Sequence, residues 1–120
     1  MELNDYQRRS RSTAEYPKPA ECPACFGWTK TPNELYPALG LGGEAGEVLE
    51  VVKKVWRDNQ GEFTHETRHK LKLELGDVLW YLAAIASEQN ISLQEIAEAN
   101  LEKLKSRLDR GVISGSGDER

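Results

Sequence analysis

Apolar residues recurring at three- and four-residue spacing constrain this chain more than any other feature. Leu41, Ala45, Val48, Val52 and Val55 follow that rhythm, widened by Leu49 and Trp56. Leu71, Leu75, Val78, Leu79, Leu82 and Ile85 repeat it, and Leu93, Ala97, Leu101, Leu104 and Leu108 repeat it again. Each set paints one stripe on a helix of 3.6 residues per turn, while no segment alternates at period two over a useful length. Stripes of this kind are buried against one another, so the expected fold class is all-α, a helical bundle. The boundaries are marked as well. Ser92 and Glu95 form a capping box, Thr64 is placed to cap the middle helix, and Asn59-Gln60-Gly61 closes the one before it. A shorter helix, roughly Asn4–Glu15, is expected ahead of Pro17, which gives four main helices.

Around these helices lie two segments without periodicity. Residues 17–37 hold all five prolines and both cysteines and read as a loop or insertion. Residues 111–120, with Gly111, Gly115 and Gly117, read as a tail. The 120 residues are expected to form a single domain, 1–120. Leu, Ile, Val and Phe make up 26 of them, so the core of a lone chain is modest.

The charge is uneven. Residues 31–101 carry twelve acids and six bases, whereas the flanking stretches are each close to balanced. A general nucleic-acid binder needs a basic surface to displace counterions, and no nucleic-acid partner is expected. The longest uncharged run in the apolar region, Val78–Ser87, is shorter than the ~20 residues a bilayer demands, so no membrane partner is expected either. The N-terminus shows no basic stretch followed by an apolar one, and two cysteines make no disulfide framework. A cytoplasmic protein with reduced thiols is the expectation.

The acids of the middle segment are not scattered. On a wheel of 100° per residue centred on Val48, Glu44 falls at about −40°, Glu47 at about −100° and Lys54 at about −120°. With Leu71 as reference, Glu74, Tyr81 and Asp77 fall at about −60°, −80° and −120°. With Ala97 as reference, Asn100, Arg107 and Lys103 take those same three positions. Each helix therefore carries its unusual polar residues on the same shoulder of its stripe, and packing of the stripes is expected to bring the shoulders to one groove. Glu50, at about 200°, reads as lying on the opposite face. Glu44/Glu47 and Glu74/Asp77 are i,i+3 pairs, unfavourable as like charges unless a cation intervenes. Four such carboxylates offer hard oxygen ligands to Mg²⁺, or to Mn²⁺, with positions left for water and phosphate oxygens. Asn100, Lys103 and Arg107 are then candidates to hold a phosphate chain. Gly40, Gly42, Gly43 and Gly46 crowd around Glu44; Gly46 reads as a site of close approach by a neighbouring helix or ligand.

Leu39-Gly-Leu-Gly-Gly-Glu44-Ala-Gly-Glu47-Val, then Glu74-Leu-Gly-Asp77-Val-Leu-Trp80-Tyr81, then Asn100-Leu-Glu-Lys103-Leu-Lys-Ser-Arg107 resemble the MazG-like all-α nucleoside triphosphate pyrophosphohydrolases. The tail Arg110–Arg120 is similar to the closing segment of single-domain, phage-type members. The resemblance covers about 33–120. It implies Mg²⁺-dependent hydrolysis of an NTP or dNTP to the monophosphate and pyrophosphate. By carry-over, Glu44, Glu47, Glu74 and Asp77 would bind metal, with Glu47 or Glu44 acting on the attacking water. Lys54, Asn100, Lys103 and Arg107 would contact phosphates, and Tyr81 the nucleotide. It also implies a homo-oligomer, dimer or tetramer, whose paired subunits complete the bundle. Two rivals are a specialised relative, such as an all-α dUTPase or phosphoribosyl-ATP pyrophosphatase, and a catalytically silent helical oligomer that binds nucleotides or proteins.

Other features read as structural. Cys22-x-x-Cys25 with His65 and His69 matches no compact zinc site, and a surface loop with two surface histidines is expected. Trp28, Trp56 and Trp80 read as packing. Arg8, Arg9 and Arg11 read as a solvated helix face.

Overall fold

A computed structural model describes residues 1–17 and 33–117. The described residues form four α-helices and no strand: α1 (Leu3–Ser10), α2 (Leu35–Asn59), α3 (His65–Glu88) and α4 (Leu93–Asp109). Helix α1 is shorter than the expected 4–15 because the chain tightens into a 3₁₀ turn over Arg11–Thr13.

Helix α2 starts at Leu35, not at Leu41, so Leu35–Pro37 leave the expected loop. Pro37 is the third helical residue and is buried. Its missing N–H costs nothing there, since the first four N–H groups of a helix have no intrahelical acceptor. The rest of that loop, with Cys22, Cys25 and Trp28, lies outside the described residues. His65 and His69 are exposed in the first turns of α3.

The hairpin of α2 and α3 is the main packing unit. Gln60 (φ 54°) and Gly61 (φ 85°) turn the chain in left-handed conformation, and the Gly61 N–H donates to the Val55 carbonyl at 3.2 Å. Thr64 then caps α3 reciprocally with Thr67. Val55 is buried on the α3 side, but Trp56 is 67% exposed, a correction to its reading as packing. It covers Gly61 while its outer face meets solvent.

Helix α1 lies at the junction of α3 and α4, where Tyr6 and Ile96 pack on Ala83, Ala86 and Leu93. It also aims α4. The Leu93 N–H donates to Gln7 Oε1 at 2.8 Å, the Gln94 N–H to Asn4 Oδ1 at 3.2 Å and the Glu95 N–H to Ser92 Oγ at 3.0 Å. Three orphan donors of the first turn are thereby satisfied, two of them by α1. Helix α4 packs on α1 and has no substantial contact along α2 or α3. Burial of all three stripes against one another within one chain does not occur.

A half-buried carboxylate ties the N-terminal segment to the end of α3. Glu88 accepts from Arg11 Nη1 at 2.7 Å, from the Tyr16 hydroxyl and from the Asn33 N–H at 2.9 Å. Arg11 is therefore an anchor, while Arg8 and Arg9 remain on the exposed face, paired with Asp5. Trp80 packs as expected, edge-on to Tyr16 and Tyr81, with Nε1 donating to Thr13 Oγ1 at 2.8 Å. Burial opposes ionisation of Glu88, but its bonds to Tyr16, Arg11 and Asn33 outweigh that and hold its carboxyl below the ordinary value. A depressed carboxyl stabilises the fold above the unfolded pKa of about 4.3 and loses that contribution as pH falls through the folded value. Glu88→Ala is expected to cost about 2–3 kcal/mol at neutral pH, and the gap to wild type should narrow in acid. Denaturant melts of both proteins across pH 3–7 check this; a pH-independent gap contradicts it.

Candidate active site

Glu44 on α2 and Glu74 and Asp77 on α3 converge. One carboxylate oxygen from each lies within 4.8 Å of the other two. The antiparallel register explains why: Gly40 abuts Tyr81 and Glu44 faces Asp77, so i,i+4 steps along both helices stay in phase. Glu44 and Glu74 are half-buried and Asp77 is exposed. Among the described residues no lysine or arginine forms an ion pair with any of the three. Burial, then the charges of Asp77, Glu74 and Glu47, push the Glu44 carboxyl above its ordinary value. This is concentrated negative charge without a counterion among the described residues.

Glu47 lies outside that triad. It lines an adjoining groove of about 390 Å³ between α2 and α3, together with Lys54, Lys70, Thr67 and Glu74. Glu50 lines the same groove, so its assignment to the opposite face is corrected. It accepts from Lys53 and, at 3.2 Å, from Lys54, and both lysines hold its carboxyl below the ordinary value. Lys54 sits four residues after Glu50, the spacing at which helical side chains meet. On the wheel about 200° is equivalent to about −160°, which is only about 40° from Lys54 and agrees with this pairing.

Tyr81 neighbours Glu44 and Asp77 on the other side of the triad. A Cβ on Gly40 would overlap the Tyr81 ring, so the close approach expected at Gly46 occurs one and a half turns earlier. Nothing stands within 4 Å of a Cβ on Gly46. Burial, then the neighbouring Tyr36, Glu44 and Asp77, raise the Tyr81 hydroxyl pKa. Tyr36, which the sequence did not single out, stacks on Tyr16 with ring centroids 5.2 Å apart. Tyr36 and Tyr81 thus stand on the Glu44 and Asp77 side of the triad, and the lysine-lined groove adjoins it at Glu74.

The α4 candidates are not brought to this groove by their own chain. Asn100 and Lys103 are exposed on a helix packed against α1. Arg107 is only 5% exposed, with Nη2 donating to the Gly117 carbonyl at 3.4 Å, so the tail lies over it.

Fold and site define a class: all-helical proteins that gather hard-oxygen donors where a Glu-x-x-Glu helix meets a Glu-x-x-Asp helix. Residues 31–112 match the MazG nucleotide pyrophosphohydrolase domain. The chain belongs to the MazG nucleotide pyrophosphohydrolase family. It is also 44% identical to the Gene 37 protein of Mycobacterium phage L5 over 120 residues, covering the whole of both chains. No solved structure matches.

Proposed function

We propose that this protein hydrolyses nucleoside triphosphates, NTP or dNTP, to the monophosphate and pyrophosphate, with Mg²⁺ as cofactor and Mn²⁺ able to replace it. The convergence of Glu44, Glu74 and Asp77 carries the reading. Their donor set fits such an ion. Glu44, Glu74 and Asp77 would hold it, each offering a carboxylate oxygen, the hard donor that Mg²⁺ prefers. Bound there, Mg²⁺ would lower the pKa of the attacking water and offset charge developing on the leaving pyrophosphate.

The chain's own residues supply the rest. Glu47, beside the triad, orients the water and takes its proton. The water oxygen bonds to the α-phosphorus as the bond to the bridging oxygen breaks, and pyrophosphate leaves with the electron pair. Lys54 holds the phosphate chain from the lysine end of the groove, Asn100 and Lys103 from α4, and Tyr81 meets the nucleoside. Arg107 of α4 is a further phosphate contact. The protein acts as a homo-oligomer, dimer or tetramer, in the cytoplasm.

Pyrophosphate release from a panel of NTPs and dNTPs, with and without Mg²⁺, tests this reading. Release that requires Mg²⁺ is the expected result. One strongly preferred base would mark a specialised relative such as a dUTPase, and no release from any nucleotide would leave a silent binding protein.

A further inference from the structure

The groove beside the triad carries two cations, of which the proposed reaction uses only Lys54. Lys54 on α2 and Lys70 on α3 both line it, along with Glu47, Glu50 and Glu74. The helix register orders them. Gly40 abuts Tyr81 and Glu44 faces Asp77, so the same antiparallel register sets Glu47 level with Glu74, Val51 with Lys70 and Lys54 with Thr67. Lys70 therefore stands one turn, about 6 Å, along α3 from Glu74, and Lys54 two turns, about 10 Å, along α2 from Glu47.

Side-chain direction then reverses the order of the two ammonium groups. Helical side chains tilt toward the N-terminus of their own helix, and α2 and α3 run in opposite directions. Lys54 leans back toward the triad and meets Glu50 at 3.2 Å, whereas Lys70 leans away from it and meets Glu66 at 2.8 Å. Lys54 thus presents its charge nearer the triad, level with Glu50, and Lys70 presents its charge farther out. Both lysines and Glu66 are more than half exposed. Ion pairs so exposed are weak, and a phosphate oxygen is a strong competing acceptor for a lysine. The groove's own carboxylates make it a poor place for a free anion. A phosphate chain enters it with Mg²⁺ at the triad, and the lysines meet the part that extends beyond the ion.

We propose that Lys70 reads the terminal phosphate, and that this one side chain lets the protein distinguish nucleoside triphosphates from diphosphates. With the α-phosphorus at the triad, the β-phosphate lies at Lys54 and the γ-phosphate at Lys70, which exchanges Glu66 for the γ-phosphate oxygens. A diphosphate reaches Lys54 and ends short of Lys70. Because Lys70 touches the substrate away from the bond that breaks, it determines specificity and acts through binding.

The placing of the α-phosphorus rests on the proposed function, and inorganic anions keep the two readings apart, since calorimetry records their binding without turnover. In Mg²⁺, the wild type should bind tripolyphosphate more tightly than pyrophosphate. Lys70→Ala should weaken tripolyphosphate binding about tenfold and erase most of that preference. Lys54→Ala should weaken both anions alike. Glu66→Gln breaks the same ion pair but leaves the lysine in place, so it should bind tripolyphosphate at least as tightly as the wild type. With a nucleoside triphosphate as substrate, Lys70→Ala should raise KM about tenfold with a far smaller change in kcat. Equal losses from Lys70→Ala and Glu66→Gln, the same loss for both anions in Lys70→Ala, or a wild type without preference overturns the proposal. A Lys70-dependent preference in a protein that hydrolyses no nucleotide upholds the terminal-phosphate contact and overturns the proposed function instead.

Discussion

Asp77→Asn is expected to lower kcat/KM by roughly three decades while the metal-free protein melts at the same temperature or higher. The first effect follows from removing a charged oxygen donor. A bound metal supplies several kcal/mol of transition-state stabilisation, and losing about 4 kcal/mol is about a thousandfold in rate. The second follows from the crowding of Glu44, Glu74 and Asp77, which have no counterion among the described residues. A raised Glu44 carboxyl means that the ionised form is disfavoured in the fold, so metal-free stability declines as pH rises from the unfolded pKa through the folded one. Neutralising a neighbour relieves that strain. Glu50→Gln is the contrast: its carboxylate is already held by Lys53 and Lys54 in an exposed pair, so kcat/KM is expected to stay close to wild type. Steady-state pyrophosphate release and thermal melts on both variants decide it. Equal losses from the two, or an Asp77→Asn protein that is active but unstable, would contradict the assignment.

Gly40→Ala is expected to destabilise the protein by about 1–3 kcal/mol, the usual range for overpacking, and to raise KM. Alanine is normally the better helix former, by about 1 kcal/mol. Here its methyl group would occupy the space of the Tyr81 ring, one turn from Glu44. Tyr81→Ala should therefore reverse the sign, making Gly40→Ala stabilising in that background. Denaturant unfolding of the four proteins of the cycle measures this. An additive cycle would show that the ring and the glycine are not coupled.

Periodicity located α2, α3 and α4, because a 3.6-residue stripe is written directly in the order of residues. It did not locate the start of α2. Prolines and glycines read locally as breakers, yet Pro37 occupies a turn that needs no N–H, and Gly40 is required by a ring 41 residues away in sequence. The E-x-x-E and E-x-x-D spacings gave the acidic cluster, but a wheel fixes only a direction. Glu50 reads as the opposite face only until its angle is taken as about −160°, some 60° from Glu47, with which it shares a groove. Glu88 carried no local signal at all, since its partners Arg11, Tyr16 and Asn33 come from the other end of the chain. Stripes also do not name what covers them: α4 needed a partner for Leu101, Leu104 and Leu108, and its own hairpin does not supply one.

Hydrolysis in H₂¹⁸O tests the central claim most directly, because the label records which phosphorus the water attacks. With Mg²⁺ and a nucleoside triphosphate, the account predicts one ¹⁸O in the monophosphate and none in pyrophosphate. Label in pyrophosphate, or release of a nucleoside diphosphate with labelled orthophosphate, would contradict it.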